Sequence, residues 1–331
     1  QQEKPLVKDG EKTLTEGIDY TLSYSSDTTN AGTVTVTVTG KGNYSGSVDV
    51  TYQILKRPVT LTSATDSKPY DGTALTRPNV TVAGSGFVDG EVTNIRATGS
   101  VTTVAEGEVV NTIDYDEGVN FKVGNYDITK NEGKLSITAL SAEDGLTITP
   151  NNVEYTYNAE PHSAGAATAT ASVVCTNVSL EYRVKGSPDA EWRSNVSEIT
   201  AINAGTVTIE VRASAANYTG YKYAEQTLTI NKRDVELTSA SASKVYDGTA
   251  LTKDWVDMGP NRADTGFIRS DLAGDGRVHA TGSQTAVGTS DNTISYQLKE
   301  GAASNYNILP NKLGTLTVTA QSIVPDPENP E

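Results

Sequence analysis

Hydrophobic and polar residues alternate with a period of two over several short stretches of the chain. In residues 33–40 (TVTVTVTG), Val34, Val36 and Val38 fall on one side of an extended backbone and threonine hydroxyls fall on the other. Residues 179–186, 206–213 and 315–320 alternate in the same way, and no stretch combines helical spacing with helix caps. A period of two is that of a half-buried β-strand, so the pattern predicts an all-β fold.

Two different repeats alternate along the chain. The stretch SKPYDGTALT at residues 67–76 returns as SKVYDGTALT at residues 243–252, and the match extends to GKLSIT at 133–138 and GTLTVT at 314–319. The second repeat, NAGTVTVTVTGKGNYSG from Asn30, returns as NAGTVTIEVRASAANYTG from Asn203. Every copy has an Asn-Tyr pair near its end, and these pairs are 82, 92 and 88 residues apart. This spacing is that of small sandwich domains in series.

The repeats divide the chain into four segments with almost no linker between them. We place the first segment at 1–57, the second at 58–139, the third at 140–231 and the fourth at 232–320. Residues 321–331 are rich in proline and acidic residues and are predicted to be a linker. The pattern predicts a tandem array of small β-sandwich domains, immunoglobulin-like, in an elongated rod.

The first segment is shorter than the third, although both contain the same repeat. The opening strand and its tyrosine, present in the third segment, are absent from the first. A sheet that lacks a strand has an unpaired edge. We therefore expect the first segment either to be the least stable of the four or to have its open edge filled by a neighbouring chain.

A tyrosine followed by two turn-forming residues recurs after the first strand of three segments. Asp can hydrogen-bond to nearby backbone and Gly accepts positive φ, so Tyr-Asp-Gly predicts a tight turn with the tyrosine packed into its own domain. The third segment replaces Asp by Asn at the same point, which argues against a carboxylate-dependent active site. The predicted structural residues are Tyr70, Asp71, Gly72, Tyr246, Asp247, Gly248, Tyr157 and Asn158.

The composition limits the partners of the chain. It contains 26 basic and 41 acidic residues, a net charge of −15, and has no basic stripe for nucleic acid or for an anionic membrane. No apolar stretch is long enough to cross a bilayer, and residues 1–10 do not resemble a signal peptide, so we expect any signal and anchor to lie outside this stretch. The single cysteine, Cys175, precludes an internal disulfide and is predicted to be a small buried hydrophobe.

The sequence offers little catalytic chemistry. The two histidines, His162 and His279, fall in different segments, which excludes a Ser-His-Asp or Cys-His system, and no phosphate-binding loop occurs. We therefore predict that the protein is not an enzyme and needs no cofactor. The acidic stretches at 114–118 and 271–276 are candidates for calcium, although their spacing is not that of an EF-hand.

Two tryptophans are candidates for contact with a ligand. Trp255 lies in an insertion that the second segment lacks in this form, and it is the better candidate. Trp192 is a second candidate, although packing in the core or at a strand edge is the favoured explanation for it.

The motifs KxYDGTALT and NAGTVTIEVRA…NYTGY…TLTINKR resemble the YDG-type and MBG-type repeat domains of large cell-surface adhesins from Gram-positive gut bacteria. The resemblance covers nearly the whole chain. It implies a truncated MBG-like first segment, a YDG-type second, an MBG-like third and a YDG-type fourth. It also implies an exported protein at the bacterial cell surface, whose partners are neighbouring repeats and host glycans or host surface or secreted proteins.

Two functions of different classes fit these features. The first is a structural and adhesive repeat segment that acts as a stalk or as a multivalent array of weak binding faces. The second is a dedicated recognition module for a host glycan such as mucin, or for a host protein. Duplication of whole segments argues against a third class, an enzyme with one active site.

Overall fold

The computed structural model describes residues 2–173, 177–187, 191–259 and 264–323. Within these ranges the chain is built almost entirely from strands, and its helical residues form one α-helical turn, Ala142–Gly145, and five 3₁₀ turns. The 3₁₀ turns are Val104–Glu106, Val123–Asn125, Val196–Glu198, Arg269–Asp271 and Ala302–Asn305. The predicted fold class, all-β, is confirmed. Cys175 and most of the predicted linker lie outside the described residues.

The chain divides into two compact units, Gln1–Leu140 and Ser141–Glu331. Unit 1 therefore contains the first and second segments together with Leu140, and unit 2 contains the rest of the third segment and the fourth. The finer division into four domains stays a prediction. No helix among the described residues is long and apolar enough to cross a membrane.

The first segment contains one three-stranded antiparallel sheet and a short hairpin. Its strands are β1 (Lys8–Asp9), β2 (Lys12–Thr13), β3 (Tyr20–Tyr24), β4 (Gly32–Gly40) and β5 (Ser47–Ile54). The sheet order is β3-β4-β5, and β1 pairs with β2. Val36 of β4 lies opposite Tyr24 on one side and Val50 on the other, so the alternation predicted for 33–40 is that of the central strand.

The second segment begins with the central strand of a three-stranded sheet. Its strands are β6 (Arg57–Ser63), β7 (Asp66–Pro69), β8 (Leu75–Thr76), β9 (Val80–Gly84), β10 (Val92–Ala97), β11 (Ser100–Val101), β12 (Val109–Val110), β13 (Ile113–Glu117), β14 (Tyr126–Asn131) and β15 (Lys134–Thr138). Strand β6 pairs parallel to β14 and antiparallel to β9, whereas β7 pairs parallel to β15. The chain therefore crosses from one layer of the sandwich to the other between Ser63 and Asp66.

The third segment contains the largest sheet among the described residues, with four strands. Its strands are β16 (Leu140–Ser141), β17 (Leu146–Thr149), β18 (Val153–Thr156), β19 (His162–Ser163), β20 (Thr168–Ala171), β21 (Val178–Val184), β22 (Thr200–Ala201), β23 (Gly205–Ala215), β24 (Tyr218–Thr219) and β25 (Lys222–Asn231). The order of the long sheet is β18-β25-β23-β21, in which β18 runs parallel to β25. The opposing layer includes the antiparallel pair β17 and β20.

The fourth segment repeats the pairing of the second. Its strands are β26 (Arg233–Val235), β27 (Thr238–Ser239), β28 (Ala242–Val245), β29 (Val256–Asp257), β30 (His279–Ala280), β31 (Gly288–Asp291), β32 (Ile294–Ser295), β33 (Tyr306–Ile308) and β34 (Thr315–Thr319). Strand β26 runs parallel to β33 and β28 runs parallel to β34, as their counterparts do in the second segment.

The hydrophobic core of unit 2 is continuous through both of its segments. One cluster joins Ile209 and Leu228 of the third segment to Leu237 and Phe267 of the fourth. Burial of these aliphatic and aromatic side chains is the main favourable term in folding. The third and fourth segments therefore share one core cluster.

Candidate functional site

The Tyr-Asp-Gly sequence of the second segment forms a tight turn that is held by side chains. The Asp71 carboxylate accepts hydrogen bonds from the backbone N–H and the hydroxyl of Thr73, at 2.9 and 2.7 Å. Gly72 has φ +79°, the left-handed conformation that glycine adopts without strain. The Lys68 ammonium donates to both Asp71 oxygens, and these bonds hold the pKa of that carboxyl well below its ordinary value. Tyr70 is buried, with 8% of its surface exposed.

The fourth segment forms the same turn with a different tyrosine environment. Asp247 accepts from the N–H and the hydroxyl of Thr249, at 2.9 and 2.8 Å, and from Lys244, while Gly248 has φ +82°. Tyr246 exposes 43% of its surface. The turn is therefore common to both copies, but Tyr246 is a surface residue rather than the core residue that the sequence predicted.

The corresponding turn of the third segment uses an amide instead of a carboxylate. Asn158 Oδ1 accepts from the backbone N–H of Glu160 at 2.9 Å and lies 2.9 Å from Nε2 of His162. Ala159 adopts φ +63° at the position of the glycine. Tyr157 is 3% exposed, and its ring and hydroxyl are directed to the fourth segment.

Within unit 1, an asparagine of the second segment holds the backbone of the first. Asn125 Oδ1 accepts from the N–H of Ala31 at 2.8 Å, and its Nδ2 donates to Asn30 Oδ1 at 3.0 Å. The asparagine belongs to an Asn-Tyr pair, and its partners belong to the Asn-Ala-Gly stretch that opens the other repeat. We call this pair of hydrogen bonds the amide clamp.

Unit 2 contains the same amide clamp. Asn305 Oδ1 accepts from the N–H of Ala204 at 2.8 Å, and its Nδ2 donates to Asn203 Oδ1 at 3.2 Å. Asn305 is 2% exposed, so the hydrogen bonds of its amide replace those that water would otherwise make. The clamp is therefore a duplicated joint between the two kinds of segment.

A second set of contacts strengthens the joint in unit 2. The hydroxyls of Tyr157 and Tyr306 both donate to Asp271 Oδ2, at 2.7 and 2.6 Å, and the two rings meet edge to face with centroids 5.5 Å apart. Burial and then the bond to Asp271 raise the pKa of Tyr157 to about 12, and they also raise the pKa of Tyr306. Both hydroxyls therefore stay protonated and donate across the neutral pH range.

A buried arginine lies beside these tyrosines. Arg233 is 2% exposed, and its guanidinium donates to the backbone carbonyls of Gly266 at 2.8 Å, Thr265 at 2.9 Å and Tyr157 at 3.4 Å. Its hydrogen bonds thus extend from the loop of its own segment to the turn of the third.

Each of the second and fourth segments is held internally by a fully buried asparagine. Asn111 donates through Nδ2 to the carbonyls of Ala64 and Arg77 at 3.2 and 2.9 Å, and accepts from the N–H of Gly99 at 3.1 Å. The equivalent bonds of Asn292 join it to Ala240, Lys253 and Gly282. These asparagines satisfy backbone groups that no strand pairs, which is a structural role.

Aromatic and arginine side chains form an exposed surface on the long sheet of the third segment. The guanidinium carbons of Arg183 and Arg212 lie 4.5 and 4.3 Å from the Trp192 ring centroid, and Arg212 lies 4.2 Å from that of Tyr221. The Tyr223 centroid is 6.2 Å from those of both Trp192 and Tyr221. We call these five residues the aromatic surface.

Strand alternation places the aromatic surface on the side of the sheet away from the core. Ile209, Val211 and Ala213 of β23 are buried, so Glu210 and Arg212 between them point outward. Carboxylates hold the arginines in place, since Arg212 Nε donates to Glu181 at 2.8 Å and Arg183 Nε donates to Glu210 at 2.5 Å. Tyr223 exposes 55% of its surface and Tyr221 exposes 39%, which leaves ring surface free for contact.

Trp255 lies apart from this group in the sequence and forms no part of the aromatic surface. It exposes 52% of its surface, and its backbone accepts from the N–H of Ala240. Residues 260–263 of the same insertion lie outside the described residues. The exposure of its side chain is therefore the one structural feature that supports Trp255 as a candidate contact residue.

The remaining polar candidates have internal partners. In the first acidic stretch considered for calcium, Asp114 and Asp116 form ion pairs with Arg96. In the second, Asp271 accepts hydrogen bonds from the hydroxyls of Tyr157 and Tyr306. Across the described ranges no group of three or more His, Cys, Asp or Glu side chains is arranged to hold a metal ion. The ring of His162 stacks on that of Tyr155 with centroids 4.2 Å apart.

His279 is held between two carboxylates. Its Nδ1 lies 3.2 Å from Asp254 and its Nε2 lies 2.6 Å from Asp275. These two hydrogen bonds raise the pKa of the imidazole above its ordinary value and lower the pKa of both carboxyls.

Sequence reasoning did not assign the residues of the joint. Asn125, Asn305 and the buried Asn111 and Asn292 all lie in motifs that occur in both copies of a repeat. Their exact repetition was a usable signal, but the partner of each lies far away in the chain, for example 101 residues for Asn305 and Ala204.

No family model and no curated protein matches this sequence. Solved structures that align with it include cadherin, immunoglobulin and titin domain fragments and an endo-fucoidan hydrolase. A Drosophila N-cadherin EC1-3 fragment shares 8% identity over 69% of this chain and 94% of its own, with a TM-score of 0.22. Sidekick-1 immunoglobulin domains 1–5 share 11% identity over 93% of this chain and 72% of their own, with a TM-score of 0.29. The titin fragment I67–I69 shares 8% identity over 88% of this chain and 93% of its own, with a TM-score of 0.24. Similarity at this level carries no argument about function.

Proposed function

We propose that the chain is a structural repeat segment of an exported bacterial surface protein, in which YDG-type and MBG-type domains alternate to form a stalk. The observation that supports this proposal is the duplicated joint. The same asparagine clamps the same Asn-Ala-Gly backbone in both units, at 2.8 Å in each. A joint that is reproduced in both units fixes the orientation of the two segments within each unit, as a stalk that bears load requires.

Small-angle X-ray scattering of the whole chain tests the stalk. A compact globule of 331 residues has a radius of gyration of about 20 Å. We expect a value well above this, with a long maximum dimension that does not change with salt. A radius of gyration close to about 20 Å would contradict the proposal.

The joint has a mechanical consequence that a second experiment measures. When the chain is pulled from its two ends, we expect the third and fourth segments to unfold at a higher force than in an Asn305→Ala variant. Independent segments on flexible linkers would show no such difference, because removal of the clamp would leave the unfolding force of each domain unchanged.

A second function, recognition of a host protein or a host glycan, is supported by the aromatic surface. Trp, Tyr and Arg are the residues that contribute most to binding energy at protein interfaces. Here they lie together on an exposed sheet face, with the arginines already positioned by carboxylates. The aromatic rings also suit the apolar faces of sugar rings.

Binding of the whole chain to a glycan array and to a panel of mucosal proteins tests this second function. We expect a ligand found in this way to lose affinity for Trp192→Ala and to keep it for Trp255→Ala, which changes the other candidate contact residue. Equal loss in both variants, or none in Trp192→Ala, would remove the aromatic surface from consideration.

A further inference from the structure

The first two strands of the second segment run parallel to its last two strands. Strand β6 pairs with β14 in one sheet, and β7 pairs with β15 in the other. The paired residues are 69 positions apart in both sheets, as Arg57 and Tyr126 are in the first and Asp66 and Leu135 are in the second. The two stretches of chain therefore cross between the layers side by side and keep one register.

Buried polar groups join the two stretches where they cross. Ser63 Oγ donates to the carbonyl of Asn111 at 2.6 Å and accepts from the N–H of Gly133 at 3.0 Å. The N–H of Asn111 donates to the carbonyl of Gly133 at 2.8 Å. Ser63 is 4% exposed and Asn111 is 0% exposed, so water does not compete for these bonds. We call Ser63, Asn111 and Gly133 the crossover lock.

The two crossing backbones are in direct contact at the crossover lock. A Cβ at Gly133 would lie 2.3 Å from the carbonyl oxygen of Ala64, so a side chain has no room there. The next residue, Lys134, donates its N–H to Thr65 Oγ1 at 3.1 Å. The parallel pairing of β6 with β14 is therefore linked by hydrogen bonds to that of β7 with β15.

The fourth segment has the same lock. Ser239 Oγ donates to the carbonyl of Asn292 at 2.6 Å and accepts from the N–H of Gly314 at 3.0 Å. A Cβ at Gly314 would lie 2.5 Å from the carbonyl oxygen of Ala240. Here the paired residues are 73 positions apart in the sheet of β26 and β33 and 74 apart in that of β28 and β34. The lock is therefore kept although the register changes by one residue.

Parallel pairing of the first and last strands determines how such a segment responds to tension. When its two ends are pulled apart, β6 and β7 are drawn toward their N-termini, and β14 and β15 are drawn toward their C-termini. Parallel neighbours must then slide past each other, which loads all the hydrogen bonds between them at once. In an antiparallel hairpin the two ends lie at one edge, and the hydrogen bonds open one after another.

We propose that the crossover lock makes the two sheets of the second segment, and of the fourth, resist tension as one unit. Strand β6 slides along β14 only when β7 also slides along β15, because Ser63 and Asn111 join the strands between the two sheets. The inference rests on the proposed stalk, since only a chain under tension uses resistance in this direction.

Pulling the whole chain with optical tweezers from two different pairs of exposed residues tests this proposal. Handles on Lys56 and Thr138 make the parallel strands of the second segment slide. Handles on Ala74 and Thr138 peel β7 from β15, starting at the ends where Pro69 and Thr138 are paired. We expect a higher unfolding force in the sliding geometry. An equal or lower force in that geometry would overturn the proposal.

Removal of the serine hydroxyl separates a load-bearing role from a stabilising one. In the sliding geometry Ser63→Ala is expected to unfold about tenfold faster at constant force, because two buried hydrogen bonds are lost. In the peeling geometry its rate is expected to match the parent chain, since the first bonds to break lie away from the crossing. Ser67→Ala, at an exposed serine of β7, is the control and should change neither rate. Equal acceleration in both geometries would show that Ser63 carries no load.

The fourth segment gives an independent test if Ser63→Ala does not fold. Ser239→Ala is pulled from Lys232 and Thr319, which are both exposed, and the same acceleration is expected. The scattering measurement tests the stalk separately. An extended chain with equal forces in the two geometries would overturn the crossover lock alone, whereas a compact chain that resists sliding more than peeling would support the lock and contradict the stalk.

Discussion

Tyr157 donates its hydroxyl to Asp271 Oδ2 at 2.7 Å, although the two residues are 114 positions apart. The bond joins the third segment to the fourth at a carboxylate that already accepts from Tyr306. Because both tyrosines are buried, the bond is protected from competition with water. The stability of unit 2 is therefore expected to depend on this contact.

Replacement of Tyr157 by Phe is expected to destabilise unit 2 by about 2 kcal/mol, because Asp271 loses one of two charge-assisted hydrogen bonds. Hydrogen exchange of β25 and β33 under increasing denaturant measures the loss. The matched control is Tyr155→Phe, since Tyr155 lies two residues away and exposes 36% of its surface. A loss of equal size in the control would contradict the assignment.

The raised tyrosine pKa predicts a loss of stability at alkaline pH. The ordinary pKa is 10.0, and that of Tyr157 is about 12 in the folded chain. The stabilisation is fully present below pH 10 and is lost as the pH rises through 12, because only the unfolded chain releases its proton in this window. The free energy of unfolding, measured with denaturant between pH 9 and 12, should therefore fall less steeply with pH in Tyr157→Phe than in the parent chain. Parallel slopes in the two proteins would contradict this prediction.

Removal of the amide clamp in unit 2 is expected to weaken the contact between its two segments. Asn305→Ala deletes the acceptor for the Ala204 N–H and the donor to Asn203, at a cost of about 2 kcal/mol. Faster exchange of the Ala204 amide is the direct measurement. Asn43→Ala, at the exposed asparagine of the Asn-Tyr pair of the first segment, serves as the control and should change little.

A single methyl group should disrupt the buried asparagine network of the fourth segment. A Cβ at Gly282 would lie 2.5 Å from the Cα of Asn292, in contact with backbone that cannot move aside. Gly282→Ala is therefore expected to cost about 2 kcal/mol, seen as a lower melting temperature. Gly124→Ala, where a Cβ has open space, is expected to melt like the parent chain.

His279 should titrate above the ordinary histidine value of 6.5 because two carboxylates stabilise its charged form. Its stabilising effect is fully present below pH 6.5 and disappears as the pH rises through the folded pKa. An NMR titration of the imidazole protons measures the shift. Asp275→Asn should move the His279 pKa downward, and an unchanged value would show that the 2.6 Å contact does not persist in solution.

Local features of the fold could be predicted from sequence, and long-range ones could not. Alternation at residues 33–40 predicted a strand because the period of side chains is set by the backbone itself. The turn at Asp71-Gly72 could also be predicted from sequence, because its hydrogen bonds join residues two positions apart. Tyr157 was assigned to the same kind of turn, but its role depends on Asp271, and no local pattern connects the two.

The aromatic surface shows the same limit at the candidate site. Trp192 was the weaker of two candidate residues in the sequence, and Trp255 was preferred because it lies in an insertion. Only the register of β21 and β23 brings Arg183 and Arg212 beneath its ring. Tyr246 is exposed and Tyr70 is buried, although the sequences that flank them are nearly identical. The flanking sequence therefore could not predict this difference in exposure.

The amide clamp draws one partner from each kind of segment, so neither kind carries a complete interface. A gene that lengthens or shortens such an array by recombination preserves matched surfaces only when it gains or loses two adjacent segments at once. Copy number in proteins built this way is therefore expected to change in even steps.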